Sequence, residues 1–110
     1  MTEQRDSAAG PGADFVSRVI DVVDSIPAGM VMSYGDVAAA VGSRAARAVG
    51  QVMARYGHDL PWWRVIRSSG EPPLCHEQRA LEHYRDEHTP LLWRDDGDYR
   101  INLRQARYPG

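Results

Sequence analysis

The segment from Ser43 to Tyr56 constrains the fold of this chain most, because its apolar residues recur every three or four positions. That spacing places them on one face of a helix, where they would be buried. The residues of this stripe are Ala45, Ala48, Val49, Val52, Met53 and Tyr56. A second face carries Arg44, Arg47, Gln51 and Arg55, and between the two faces lie the small residues Ala46, Gly50 and Ala54. We therefore expect a helix with one face in the core and a basic face that another molecule can approach closely.

The segment before this helix predicts a second, shorter helix. Ser33 and Asp36 have the spacing of a capping box, Gly42 should end the helix, and Ser43 should cap the next one. The apolar face of the short helix would consist of Val37, Ala40 and Val41. Two short helices joined by a tight glycine-containing turn indicate a helix-turn-helix whose second helix contacts nucleic acid. The same pattern also fits an ordinary helical pair with a solvated basic face.

The charge of the chain is unevenly distributed. Its formal net charge is −2, but the segment from Arg44 to Arg67 holds five arginines and the single acidic residue Asp59. This local balance of +4 leaves −6 for the rest of the chain. A local patch, rather than the net charge, determines where a polyanion binds. The composition therefore permits DNA binding at this segment.

With 110 residues, the chain is expected to form one domain. Residues 1–13 are rich in small and charged residues without periodicity, so we expect a disordered arm there and a single domain over residues 14–110. The one cysteine excludes an intramolecular disulfide. No apolar run has the length of a signal or membrane-spanning segment, and we expect a cytoplasmic monomer without a membrane partner.

The first part of the domain predicts one more helix and two irregular segments. Asp14 would cap a helix that ends at Ser25 and packs on the back of the helix-turn-helix. The packing face would consist of Val16, Val19, Ile20 and Val23. Residues 30–32 should be extended, residues 57–60 should form a loop, and Pro61 should hold the next segment extended.

The last part of the domain predicts a helix and a hairpin. A helix over residues 77–88 would turn inward Ala80, Leu81 and Tyr84. Strands over residues 91–93 and 99–102 would be joined across the turn residues 95–98. A hairpin that follows a helix-turn-helix is typical of a winged domain. The predicted fold class is therefore mainly α with a small β hairpin, arranged as a winged helix-turn-helix.

A set of short motifs carries a resemblance to a known family. In one order, the chain contains Ile26-Pro-x-Gly29, Ser33-Tyr34, Ala46-Arg-Ala-Val-Gly50, Pro61-x-x-Arg-Val-Ile66 and Ser69-Gly70. These motifs resemble the C-terminal domain of the O6-alkylguanine-DNA alkyltransferases, in which a Pro-Cys-His-Arg-Val motif supplies the nucleophilic cysteine. Here the cysteine and histidine positions are Trp62 and Trp63, and an indole cannot act as the nucleophile of an alkyl transfer. The chain thus resembles the alkyltransferase-like proteins, which bind O6-alkylguanine in DNA without repairing it.

The resemblance implies roles for individual residues. Tyr34 would crowd the 3′ phosphate and turn the damaged nucleotide outward, while Arg47 would enter the base stack and fill the gap. The implied DNA-binding set is Tyr34, Arg44, Ala46, Arg47, Gly50 and Gln51. The implied lesion pocket consists of Tyr34, Pro61, Trp62, Trp63, Arg64, Val65 and Ser69. The implied partners are double-stranded DNA with alkylated guanine and the proteins of nucleotide excision repair, with no catalytic residue and no cofactor.

The chain departs from the family pattern in three places. The histidine usually kept after the tryptophan is Trp63, the Asn-Pro hinge before Pro61 is missing, and the glycine-rich loop after Gly70 is replaced by Glu-Pro-Pro-Leu-Cys-His. We expect Trp63 to lie either in the pocket or in the core.

Three alternative functions accompany this interpretation. Cys75 beside His76 could be a relocated nucleophile, although it lacks the surrounding motif. Zinc could bind Cys75, His76, His83 and His88, but their spacing does not form a compact ligand motif, and we expect no metal. A winged-helix regulator that reads ordinary DNA sequence remains the main alternative, and it would need no aromatic pocket.

Overall fold

The computed structural model describes residues 12–110. The disordered arm predicted for residues 1–13 lies almost entirely outside this range. The first helix, α1 (Ala13–Ser25), already begins at the last residue of the predicted arm. Gly12 occupies the N-cap position without a side-chain hydrogen bond. The prediction that Asp14 caps this helix is therefore wrong, because Asp14 lies within the first turn.

Helix α1 packs against α2 (Tyr34–Ala40) and α3 (Ala46–Tyr56), as predicted. Its residues Val19 and Val23 are fully buried at this contact, where they join one hydrophobic core with residues of the other two helices. An apolar stripe on α1 thus closes the back of the helix-turn-helix.

The N-terminus of α2 is fixed by a capping box. The Asp36 amide donates to Ser33 Oγ at 3.0 Å, and the Ser33 amide donates to Asp36 Oδ2 at 3.1 Å. Gly42 follows the helix with a φ of +75°, a conformation that glycine adopts without strain. Both predictions are confirmed, and together they fix the direction in which the chain enters and leaves α2.

The other details of the two helices agree with prediction only in part, since the predicted residues Val37 and Val41 are buried. Ser43 does not cap α3, because the helix begins only at Ala46 and Ser43 Oγ instead accepts from the Ala45 amide at 2.9 Å. The buried residues of α2 are Val37 and Ala38, whereas Ala40 is exposed.

The apolar stripe predicted for α3 is confirmed only in its centre. Val49 and Val52 are buried, and Ala48 and Met53 are partly buried. At the N-terminal end the stripe is shorter than predicted, because Ala45 precedes the helix. At the other end, Tyr56 is 43% exposed where the chain leaves α3.

A short parallel sheet, which was not predicted, joins the two halves of the chain. Strand β1 (Met32–Ser33) pairs with β2 (Val65–Ile66), with Met32 opposite Val65 and Ser33 opposite Ile66. The segment before β2 is not extended as predicted. The Arg64 amide donates to Pro61 O at 3.0 Å, which closes a 3₁₀ turn over Trp62–Arg64. The predicted loop at Gly57–Asp59 is a 3₁₀ turn as well.

The C-terminal part forms the predicted wing. Helix α4 (Glu77–Glu87) buries Ala80, Leu81 and Tyr84, and β3 (Leu91–Trp93) pairs antiparallel with β4 (Tyr99–Ile101). A short unpredicted helix, α5 (Leu103–Ala106), follows the hairpin. The fold class, mainly α with a small hairpin in a winged helix-turn-helix, is confirmed. Within residues 12–110, none of the helices has the length and apolar character required to cross a membrane.

One carboxylate connects three segments of this fold. Glu87 Oε1 accepts from the Gly29 amide at 3.0 Å and from Arg64 Nε at 3.1 Å, while Oε2 accepts from Trp63 Nε1 at 3.0 Å and from Arg64 Nη2. We refer to these four residues as the Glu87 junction. Burial by itself would raise the pKa of Glu87, but the hydrogen bonds from Arg64, Gly29 and Trp63 outweigh it and hold that pKa below its usual value.

Replacing Glu87 by glutamine should destabilise the protein, because the Arg64 guanidinium would lose its carboxylate in a largely buried setting. We expect Glu87→Gln to lower the free energy of unfolding at neutral pH by about 2 kcal/mol. Glu82→Gln, on the same helix but exposed, should change it little. Because the pKa of Glu87 is lowered by folding, its contribution is present at neutral pH and is lost as the pH falls through the folded-state pKa. The difference between wild type and Glu87→Gln in urea titrations should therefore shrink in acid, and a constant difference would contradict this role.

Candidate functional site

A cavity of about 360 Å³ lies beside α3. Its walls come from α3, from the first residue of α2, from the turn at Trp62 and from residues 73–79. We call it the α3 cavity, and its lining residues are Tyr34, Gly50, Met53, Ala54, Gly57, His58, Trp62, Pro73, Leu74, His76 and Arg79. This volume lies within the range of roughly 300–1,000 Å³ that is typical of small-molecule sites.

The floor of the α3 cavity depends on small residues. Gly50 and Ala54 lie four residues apart on α3 and Gly57 directly follows the helix, so these three positions place no large side chain in the space beside it. A Cβ at Gly57 would lie 3.2 Å from the Met53 terminal methyl group, so a larger residue there would require this side chain to shift by a few tenths of an ångström. Of the three small residues that the sequence placed between the two faces of the helix, Gly50 and Ala54 border the cavity and Ala46 does not.

Tyr34 enters the α3 cavity from the start of α2. The capping box at Ser33 and Asp36 fixes the backbone from which its side chain extends. Burial raises the pKa of the Tyr34 phenol, and the positive charge of Arg67 offsets only part of this effect. The hydroxyl is therefore protonated at neutral pH and can donate a hydrogen bond to an anionic oxygen.

The two adjacent tryptophans lie in different environments. Trp62 lines the α3 cavity, whereas Trp63 is absent from its lining. Trp63 stacks on His83 with ring centroids 3.6 Å apart and planes within 5°, and its indole N–H donates to Glu87. The two indoles meet edge to face at 5.6 Å and 88°. Of the two positions left open for Trp63, the structure places it in the packing between the 3₁₀ turn and α4.

Four more residues predicted for the lesion pocket do not line the α3 cavity. Val65 is fully buried in β2, and Arg64 is held by Glu87 and by Ile26 O, to which its Nη1 donates at 2.9 Å. Ser69 is exposed and donates to Glu71 at 2.8 Å. Pro61 begins the 3₁₀ turn next to Trp62. Of the predicted set, Tyr34 and Trp62 border the cavity, and the other residues build the scaffold around them or lie on the adjacent loop.

The basic face predicted for α3 lies on the surface next to the α3 cavity. Arg47, Gln51 and Arg55 are exposed on α3, and Ala46 and Gly50 are partly buried. Arg44 is exposed as well, but its predicted place on the helix is wrong, because α3 begins only at Ala46. Within residues 12–110, none of the three arginines has a carboxylate at ion-pair distance. Their charge is therefore available to a polyanion, and the DNA contacts of these residues stay a prediction.

Sequence reasoning missed the residues that close the α3 cavity opposite α3. Pro73, Leu74, His76 and Arg79 come from the loop after Gly70 and from the first turn of α4. Arg79 places its guanidinium 5.6 Å from the Trp62 ring centroid, and the His76 ring lies 5.5 Å from it. The sequence of this loop does not follow the family motif, so it gave no indication of a role. Only the folded structure shows that the loop lines the same cavity as Trp62.

The structure also bears on two of the alternative functions, a relocated nucleophile at Cys75 and a zinc site. Cys75 is exposed, and its backbone has a left-handed conformation with a φ of +70°. It does not line the α3 cavity, although its neighbours Leu74 and His76 do. Across the described part of the chain, no group of three or more His, Cys, Asp or Glu side chains is close enough together to hold a metal ion.

Comparisons with known proteins identify relatives of this chain. Residues 14–87 match the family model described as the DNA-binding domain of 6-O-methylguanine DNA methyltransferase. Alkyltransferase-like protein 1 of Schizosaccharomyces pombe is 35% identical over 97 residues, which cover 82% of this chain and 90% of that protein. A DNA base-flipping protein of Escherichia coli is 45% identical over 75 residues, which cover 61% of this chain and 58% of that protein.

Solved structures agree with these relatives. The crystal structure of S. pombe Atl1 in complex with damaged DNA containing O6-carboxymethylguanine matches with a TM-score of 0.74 at 33% identity, covering 86% of this chain and 94% of that one. A crystal structure of the S. pombe protein in complex with DNA matches equally well. With a family model that matches residues 14–87 and a relative matched over nearly its full length, the chain belongs to the family of 6-O-methylguanine-DNA methyltransferase DNA-binding domains and is an alkyltransferase-like member of it.

Proposed function

We propose that this protein binds duplex DNA that contains an O6-alkylguanine, turns the damaged nucleotide out of the stack into the α3 cavity, and transfers no alkyl group. The observation that carries the proposal is the placement of Trp62. Trp62 lines a cavity beside an exposed arginine face, and the resemblance of Pro61-x-x-Arg-Val to the family's Pro-Cys-His-Arg-Val motif implies that it stands in place of the nucleophilic cysteine. The similarity to a protein named for DNA base flipping, and to one crystallised with damaged DNA, supports it.

Flipping follows from the chemistry of the residues at the edge of this cavity. The O6 atom is hidden in duplex DNA, so the nucleotide must leave the stack at a cost of a few kcal/mol, which is smaller where a lesion weakens base pairing. Arg47, exposed in the first turn of α3, has a planar guanidinium that can stack in the gap and hydrogen-bond the orphaned base. Tyr34 borders the cavity and offers a rigid ring with a protonated hydroxyl to the displaced backbone.

The absence of catalysis follows from the same positions. The Trp62 indole has no lone pair for displacement, and the Trp63 indole N–H is already bonded to Glu87. The one thiol of the chain, Cys75, lies outside the cavity lining. We infer that an alkyl group seated against Trp62 stays on the guanine.

A regulator that reads ordinary DNA sequence remains the alternative function, because an exposed basic face on a winged helix-turn-helix is what such a protein presents. It would use α3 alone and would leave the α3 cavity without a role. We therefore favour the lesion sensor.

We further propose that the protein acts as a cytoplasmic monomer and that its complex with the lesion flags or shields the damage for nucleotide excision repair. An incision assay with purified excision proteins separates these two outcomes. A protein that flags the lesion should raise incision of the damaged strand, and one that only shields it should lower incision.

Duplexes with one O6-methylguanine should bind more tightly than matched undamaged duplexes, by on the order of tenfold, because weaker pairing lowers the cost of flipping. A titration followed by fluorescence anisotropy at fixed salt measures the ratio. Added salt should weaken both complexes, since arginine–phosphate contacts release counterions. Equal affinity for the two duplexes would favour the sequence-reading regulator.

No methyl group should move from DNA to the protein. After incubation with DNA that carries radiolabelled O6-methylguanine, the label should remain on the DNA, because the lining of the α3 cavity contains no thiol to accept the methyl group. Cys75→Ser is the matched control. Labelled wild type together with unlabelled Cys75→Ser would make Cys75 catalytic and overturn the proposal.

Two arginines of α3 should differ in their effects, because Arg47 is placed to enter the stack and Arg55 lies more than two turns further along the helix. Arg47→Ala should cost about 1–3 kcal/mol on lesion DNA and reduce the preference for damage. Arg55→Ala should weaken all duplexes slightly and equally. A fluorescent base analogue next to the lesion should brighten with wild type and respond less with Arg47→Ala or Tyr34→Ala. If Arg47→Ala unstacks the base analogue as much as wild type does, Arg47 does not enter the base stack. The arginines of α3 would then contribute only electrostatic attraction to DNA.

A further inference from the structure

The lining of the α3 cavity has an unbalanced charge. Its apolar part comes from α3 and the aromatic rings, and its remaining polar side chains are His58, His76 and Arg79. No aspartate or glutamate belongs to this lining. A ligand in the cavity therefore meets donors and positive charge, and no negative side chain.

Arg79 is the permanent charge of this lining. Three other arginines with structural roles, Arg64, Arg67 and Arg107, each pair with a carboxylate. In the part of the chain that the structure describes, no carboxylate lies at ion-pair distance from Arg79. Glu77, the acidic residue of the same helical turn, accepts a hydrogen bond from the Cys75 amide and does not line the cavity.

Arg79 lies against Trp62, and both side chains line the α3 cavity. Its guanidinium carbon lies 5.6 Å from the Trp62 ring centroid, within the range of a cation–π contact. A guanidinium held over a ring keeps N–H donors at its edge, and these suit the two oxygens of a carboxylate. Arg79 and Trp62 both line the cavity, and under the proposed function the alkyl group of a flipped base is seated against Trp62, so these donors would lie next to the end of that group.

We propose that Arg79 makes the α3 cavity selective for O6-alkyl groups that end in a carboxylate over neutral groups of the same size. This inference rests on the proposed function, because it concerns the group carried by the flipped guanine. His58 contributes less to it, since His58 Nε2 lies 3.5 Å from the Asp59 carboxylate, whereas Arg79 has no such competitor.

Two isosteric lesions test the proposal. O6-Carboxymethylguanine and its neutral amide, O6-carbamoylmethylguanine, differ in charge at nearly constant shape. Wild-type protein should bind the carboxylate duplex about five- to tenfold more tightly than the amide duplex at fixed salt and pH, because the bond to the guanidinium is charge-assisted. Undamaged duplex of the same sequence is the reference in each titration.

Two substitutions on α4 test whether Arg79 causes the preference for the carboxylate lesion. Arg79→Gln should bring the carboxylate-to-amide ratio to about one while both lesion duplexes still bind more tightly than undamaged DNA. Arg85→Gln is the matched control, because Arg85 lies on the same helix with its guanidinium 5.5 Å from the Trp93 ring centroid, away from the cavity. It should keep the wild-type ratio.

The outcomes separate this inference from the proposed function. If wild type binds both lesions more tightly than undamaged DNA but equally, the charge selectivity is wrong and the lesion sensor stands. If Arg79→Gln weakens carboxylate, amide and undamaged duplexes by the same factor, Arg79 contacts the DNA backbone and the inference is overturned. If neither lesion binds more tightly than undamaged DNA, the proposed function and the inference both fail.

Discussion

The hydrogen bonds of the Glu87 carboxylate determine how the site of this protein is built. A carboxylate at the end of α4 would be costly to bury alone, but here it accepts from the turn at Gly29 and from the adjacent Trp63 indole and Arg64 guanidinium, two segments that are far from α4 in sequence. The junction leaves little room for change at Gly29, where φ is +86° and a Cβ would lie 3.0 Å from Glu87 O. It also holds Trp63 against α4. Its neighbour in the 3₁₀ turn, Trp62, is then the tryptophan that lines the α3 cavity, because successive side chains of such a turn point in different directions.

In the motif Pro61-x-x-Arg-Val-Ile66, the last three residues form part of the scaffold, and Trp62 lines the α3 cavity. Arg64 binds Glu87, while Val65 and Ile66 pair with β1 and are fully buried. Trp62 and Trp63 precede the strand and take no part in its pairing with β1. The backbone pairing and burial of this segment therefore do not depend on the side chain at Trp62. The second tryptophan then gains a structural role through its bond to Glu87.

The arginines at the scaffold of the site and those on its surface have different partners. Arg64, Arg67 and Arg107 pair with carboxylates and hold segments of the fold together. The arginines of α3 and Arg79 have no such partner among the described residues, and they lie on one basic face or border the α3 cavity beside it. The partition permits a protein with a formal charge of −2 to present a local positive surface to DNA.

The sequence by itself determined what depends on local spacing. Hydrophobic periodicity predicted the helices, the Ser33 and Asp36 pair predicted the capping box, and Gly42 predicted the turn, because each depends on residues a few positions apart. The motifs framing Trp62 also placed the chain in its family. Only the tertiary structure decided the pairing of β1 with β2, the different environments of Trp62 and Trp63, and the closure of the cavity by His76 and Arg79. These features join segments tens of residues apart through packing and hydrogen bonds, and a linear pattern carries no record of which distant partner a side chain will meet.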